Sequence, residues 1–131
     1  MKEFMLLIRN RIDHNKDWSQ EHQQTFLKSC ELYINNLIKD GRLISAQPIV
    51  REGKIISGTT GEWKVKPLKK TGEVQVGYYH ILAEDIKEAV EIAKINPEFA
   101  FSTTARIEVR PVKTKETTTA FVYPNKHLQE K

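Results

Sequence analysis

The side chain best placed for proton transfer in this chain is His80, in GYYHILA (77–83), a run that reads as a strand leading into a helix. Strand alternation puts Tyr79, Ile81 and Ala83 on one face and Tyr78, His80 and Leu82 on the other. The first set is a plain core face. The second mixes a phenol and an imidazole with one aliphatic group, which suits a cavity wall, and an imidazole titrating near neutral pH serves as acid or base there. In ARIEVRPV (105–112), Ile107 and Val109 point inward and Arg106, Glu108 and Arg110 outward. Arg110 and Glu108 are therefore expected within reach of His80 from the adjoining strand, forming with Tyr78 a polar site for an anionic or hydroxylated small molecule. Arg9, continuing the first strand, is a further ligand-binding candidate. The plainer alternative is that His80 hydrogen-bonds a neighbouring strand and the charges are solvated.

Other titratable groups carry less. His14, in a loop, and His22, on the polar side of a helix, read as surface residues, and His127 lies in the tail. The four histidines and single cysteine have no metal-ligand spacing, so no metal site is expected. Cys30 sits on the apolar stripe of a helix and reads as a buried, inert thiol. Being the only cysteine it permits no internal disulfide, which fits a reducing cytoplasm. No glycine-rich phosphate loop or nucleophile motif occurs, and no cofactor is expected. The net charge is +4, but residues 113–131, with four Lys and two Glu, hold half of it. The rest intersperses both signs without a basic stripe, so nucleic acid is not an expected partner. No apolar run spans a bilayer, and MKEFMLLIRN reads as a first strand, not a secretory signal.

The elements that must position these groups follow from periodicity. Residues 3–10 form an almost continuous apolar strand. A helix runs from about Gln20 to Lys39, with Asp17 or Ser19 as its cap. Phe26, Leu27, Cys30, Tyr33, Ile34, Leu37 and Ile38 make one stripe, and Asp40-Gly41 stops it. RLISAQPIV (42–50) is a strand, residues 51–75 hold a hairpin with strands near 54–57 and 63–66, and 74–83 is the strand of His80. A second helix follows, with capping-box spacing at Asp85 and Glu88, an apolar stripe of Ile86, Ala89, Val90 and Ala93, and an end at Asn96-Pro97. Without the hairpin the order is β-α-β-β-α-β, a ferredoxin-like α+β fold whose antiparallel sheet carries both helices on one face. The naked face then exposes a large apolar patch, which two such sheets would hide by packing face to face around a cavity.

KEFMLLIRN, DGRLISAQPI, GYY, the helix ending in NP, and IEVRPV, in this order and spacing, resemble the YCII-related proteins over about residues 1–112, and within them the branch named for its DGPF motif, in the dimeric α/β barrel superfamily. The resemblance implies a homodimeric α/β barrel. VKPLKKTGEV (65–74) falls where that motif and an acidic segment stand; Pro67, Leu68, Thr71 and Glu73 fit, while the aspartate is replaced by Val65 and the glycine by Lys66. Members of the wider family have been suggested to use a histidine–aspartate pair, whose histidine lies near the start of the first helix. His22 is its nearest counterpart here, which makes it a catalytic candidate beside His80.

Two functions stay open from the sequence: general acid/base chemistry by His80 or His22 on a small aromatic or carbonyl compound, or a non-catalytic homodimer binding a metabolite or a protein. Residues 1–112 form the domain and 113–131 an extension. Its run Thr117–Tyr123 favours a strand, expected to lie against the partner subunit, with residues 126–131 fraying.

Overall fold

The computed structural model describes residues 1–69 and 71–124. The elements are β1 (Lys2–Arg11), α1 (Gln20–Lys39), β2 (Leu43–Pro48), β3 (Lys54–Thr59), β4 (Glu62–Pro67), β5 (Glu73–Ala83), α2 (Ile86–Lys94), α3 (Pro97–Phe101) and β6 (Arg106–Pro111). β2-β5-β1-β6 form one antiparallel sheet, and β3-β4 a separate two-stranded ribbon. This is an α+β chain compatible with the ferredoxin-like arrangement, its inserted hairpin lying between residues 51 and 68.

Local chemistry sets the helix ends. Ser19 caps α1, its hydroxyl accepting the His22 amide at 3.0 Å. Gly41 follows the helix at φ +70°, a left-handed turn that glycine adopts without Cβ strain. Asp85 caps α2 by accepting the Glu88 amide. The Glu88 carboxylate in turn accepts the Glu84 amide and meets Arg42 at the start of β2. Asn96-Pro97 does more than end a helix. Asn96 Oδ1 caps the short α3 and Pro97 occupies its first turn, where a missing N–H costs nothing.

The register shows which side chains share a face. β1 pairs Phe4 with Ile81, Leu6 with Tyr79 and Ile8 with Gly77. Apart from Gly77, these residues and Ala83 form the core with Tyr33 and Leu37 of α1 and Ala89 and Ala93 of α2, so both helices cover this one face. Ile107 and Val109 pack against the same core. The α1 stripe is narrower than its pattern predicts. Only Tyr33 and Leu37 are buried, whereas Leu27 and Ile38 are more than half exposed.

The β3–β4 ribbon stands out from this body. Ile56, Val65 and Trp63 follow one another along one of its faces, and all three are exposed. Beyond β6 the chain turns back on itself. Lys115 bridges Val122, Glu116 N–H donates to Phe121 O at 2.7 Å, and Tyr123 N–H to Thr114 O at 2.8 Å. The expected strand at 117–123 is therefore a correction: a turn at Thr117–Thr119, with Ala120 left-handed at φ 58°, folds the segment into a small hairpin. Phe121 and Tyr123 cover each other, rings 5.1 Å apart. His127 and the expected fraying of 126–131 lie outside the described residues.

Candidate functional site

The face opposite the helices is laid out in rows across the strands. Ser45, His80, Met5 and Arg110 form one row, and Gln47, Tyr78, Leu7 and Glu108 the next. Arg9 and Arg106 pair in a third row, beside Gln75. The candidates on strands thus share one face, as alternation requires. They do not share one point. β1 lies between β5 and β6, so Arg110 and His80 stand two strands apart, about 10 Å at ordinary strand spacing. The expected contact of His80 with Arg110 or Glu108 from an adjoining strand is corrected accordingly. Arg110 instead approaches Glu108 at 3.9 Å, with both side chains more than half exposed.

His80 has a different partner. Its Nε2 lies 2.6 Å from Glu3 Oε1, and the Glu3 side chain is 1% exposed. Glu3 sits directly opposite Leu82, which makes it a diagonal neighbour of His80. An ionised carboxylate only accepts, so with Glu3 ionised it is His80 Nε2 that donates in this bond. This is a base oriented by a second group, an arrangement used for proton transfer. One row on, the Tyr78 and Ser45 hydroxyls are 3.1 Å apart.

Arg9 is committed elsewhere. Glu73 accepts from Arg9 Nε at 2.7 Å and takes both ends of the Arg106 guanidinium at 2.7 Å. Hydrogen bonds from Arg106 and then Arg9 hold the Glu73 carboxyl down at about 2. That cluster ties β1, β5 and β6 together and fixes Arg9 through its Nε.

His22 belongs to the other side of the sheet. Its ring packs edge-on against Trp18 at 4.6 Å and lies 5.3 Å from Phe101, in an aromatic cluster that Phe26 joins. Nearby, Arg51 Nη1 donates to His14 Nδ1 at 3.0 Å, and burial followed by the Arg51 charge pushes that imidazole down, favouring its neutral form. His22 and His80 are therefore not two halves of one site.

The helix side holds a cavity of about 370 Å³ lined by residues of α1, β2 and β5. Phe26, Ile34, Ala46 and Val76 are among its apolar walls, and Asn96 and Tyr79 also line it. Cys30 also lines it, and burial raises its thiol to about 11, so the sulfur is protonated and not nucleophilic. Burial likewise raises the Tyr33 phenol to about 12; its hydroxyl donates to Ile92 O at 2.8 Å. Asn96 Nδ2 is buried with no hydrogen-bond partner among the described residues. The Asn96 side chain lies against the Tyr33 and Tyr79 phenols, and that contact opposes the rise that burial gives both.

Sequence reasoning missed Glu3, Glu73 and Asn96. Glu3 has the same parity as Met5 and Leu7 in β1, a usable signal once the pairing register is known. Asn96 reads as a helix stop, and nothing local reveals that its second amide hydrogen-bonding group is left over. Among the described residues no three His, Cys, Asp or Glu converge on a metal position, and no helix is long and apolar enough to cross a membrane. In comparison with known proteins, no family model matches the chain and no curated protein matches it.

Proposed function

We propose that the chain is a YCII-related homodimer whose two open sheet faces pack into a dimeric α/β barrel, enclosing a site where His80 acts as general acid/base on a small aromatic or carbonyl compound. The observation that carries this reading is the His80–Glu3 pair: an imidazole aligned by a buried carboxylate on the one sheet face that no helix covers. Met5, Leu7 and Tyr78 run down the middle of that face, half-buried, with polar groups at the flanks. That is the pattern of a core that needs a second layer. The exposed apolar ribbon β3–β4 supports dimerisation independently, since a lone two-stranded ribbon is marginal in water. Packing of the 114–123 hairpin on the partner and residence in the cytoplasm belong to the same reading.

Two measurements test it. Sedimentation at micromolar concentration should give twice the chain mass of 15.2 kDa, and Leu7→Arg should return it to that mass. Exchange of the enolisable C3 protons of 2-oxobutanoate in D2O, followed by proton NMR, should be catalysed by the native protein and fall to background in His80→Gln. A monomeric native chain removes the barrel, and equal exchange rates remove His80. A second reading, a non-catalytic homodimeric binding module, is favoured by one observation. Val65, standing where the resemblance places the motif aspartate, lies on the exposed ribbon, on a different sheet from His80.

A further inference from the structure

We infer that the cavity lined by α1, β2 and β5 is a second binding site, within one subunit, for a small amine with an aromatic or alkyl body, its ammonium held by the Glu98 carboxylate. Three observations lead there. The cavity, about 370 Å³, is of small-ligand size, and Phe26, Ile34, Ala46 and Val76 give it apolar walls. Leu27 and Glu31, both exposed, line it as well, so it opens to solvent beside α1. The charged groups of its lining are two carboxylates, Glu31 and Glu98, and among the described residues no Lys, Arg or His joins them there.

The third observation is that neither carboxylate enters an ion pair among the described residues. Glu98, half-buried, accepts from Asn10 Nδ2 at 3.2 Å through Oε2, and a carboxylate has lone pairs for further donors. Its charge reaches the cavity, where it adds to the rise of the Cys30 thiol and the Tyr79 phenol. Arg51 also feels that charge, but its Nη1 donates to Arg11 O, Ile12 O and His14 Nδ1 instead. An anion in the cavity therefore meets like charge with no basic group to offset it. A neutral hydrocarbon gains from the walls alone. An ammonium gains from both, because its N–H groups meet a carboxylate in surroundings drier than bulk water. The protonated Cys30 thiol does not attack the ligand, so binding is reversible. This site is separate from the open sheet face with its arginines, and it stands or falls without His80.

The test uses the full chain and three probes of similar size: phenethylamine, ethylbenzene and phenylacetate. Titrations at neutral pH are followed on the backbone amides of Cys30, Ile34 and Val76 in nitrogen–proton correlation spectra. Phenethylamine should saturate and move those amides, ethylbenzene should bind about tenfold more weakly for want of the ammonium, and phenylacetate should not bind. Glu98→Gln, which keeps an acceptor for Asn10, should bring phenethylamine down to the ethylbenzene level and leave ethylbenzene unchanged. Cys30→Phe, placing a larger side chain in the cavity from α1, should abolish both while the rest of the spectrum stays dispersed. Failure of phenethylamine to saturate, equal affinity for amine and hydrocarbon, or undiminished amine binding to Glu98→Gln would each overturn the inference, whatever the oligomeric state or exchange activity proves to be.

Discussion

Asn10 is fully buried at the end of β1, and truncating it offers the sharpest test of how the fold holds its polar interior. Its Nδ2 donates to Glu98 Oε2 at 3.2 Å and Ser102 Oγ at 3.1 Å. Its Oδ1 accepts from the Arg11 amide at 2.8 Å and Thr104 Oγ1 at 2.7 Å. One side chain thus joins β1 to α3 and to the loop leading into β6. Asn10→Ala removes these four bonds and the longer contact of Ser102 Oγ with Oδ1, while Ser102 and Thr104 keep their bond to each other. At about 1 kcal/mol net per bond the loss is near 4 kcal/mol, and water reaching the exposed Thr104 returns part of it, leaving about 2–3 kcal/mol. For a chain of this size that lowers Tm by about 10 °C. Urea unfolding followed by circular dichroism should show a lower midpoint at unchanged slope. Asn10→Asp is the control: it keeps the acceptor but sets a carboxylate against Glu98. It should be more destabilised than the alanine variant at neutral pH and recover as acid protonates the pair. A loss below about 1 kcal/mol for Asn10→Ala would refute the reasoning, because solvent would then have replaced nearly all of these bonds.

Tyr33→Phe keeps the ring packing against Tyr79, 5.2 Å away, but gives up the bond to Ile92 O, a carbonyl in the last turn of α2; the expected cost, read from urea denaturation, is about 1 kcal/mol. Glu73 should titrate far below an ordinary carboxylate. Its folded value of about 2 lies under the ordinary 4.5, so the stability it adds is complete above pH 4.5 and is lost as pH falls toward 2. Glu73→Gln should flatten the unfolding curve across that window, and a carbon-detected NMR titration of the side chain checks the value itself. A Cβ at Gly77 would meet Gln47 O at 3.1 Å, so Gly77→Ala should push β2 off β5 at a cost of about 1–2 kcal/mol; the amides of Leu43–Pro48 should exchange faster with solvent, and unchanged protection would contradict the contact.

The sequence by itself determined the parts that depend on near neighbours along the chain. The alternation in GYYHILA put Tyr79 and Ile81 in the core and His80 on the far face, and Ile107 and Val109 sorted from Arg106 and Arg110 in the same way. Asp85 and Gly41 marked helix ends through bonds that span three or four residues. Element order then implied the antiparallel sheet. What only the tertiary structure decided is which far-apart residues meet, because that depends on strand order and register, not on pattern. With β1 between β5 and β6, His80 meets Glu3 across 77 residues of chain instead of Arg110, and Arg9 is taken by Glu73. The partial burial of the α1 stripe is likewise invisible in its periodicity. An apolar stripe says which side of a helix faces inward, but where its axis crosses the sheet follows from packing against β2 and α3. The cavity lined by Phe26, Ile34, Ala46 and Val76 follows from that packing and not from pattern.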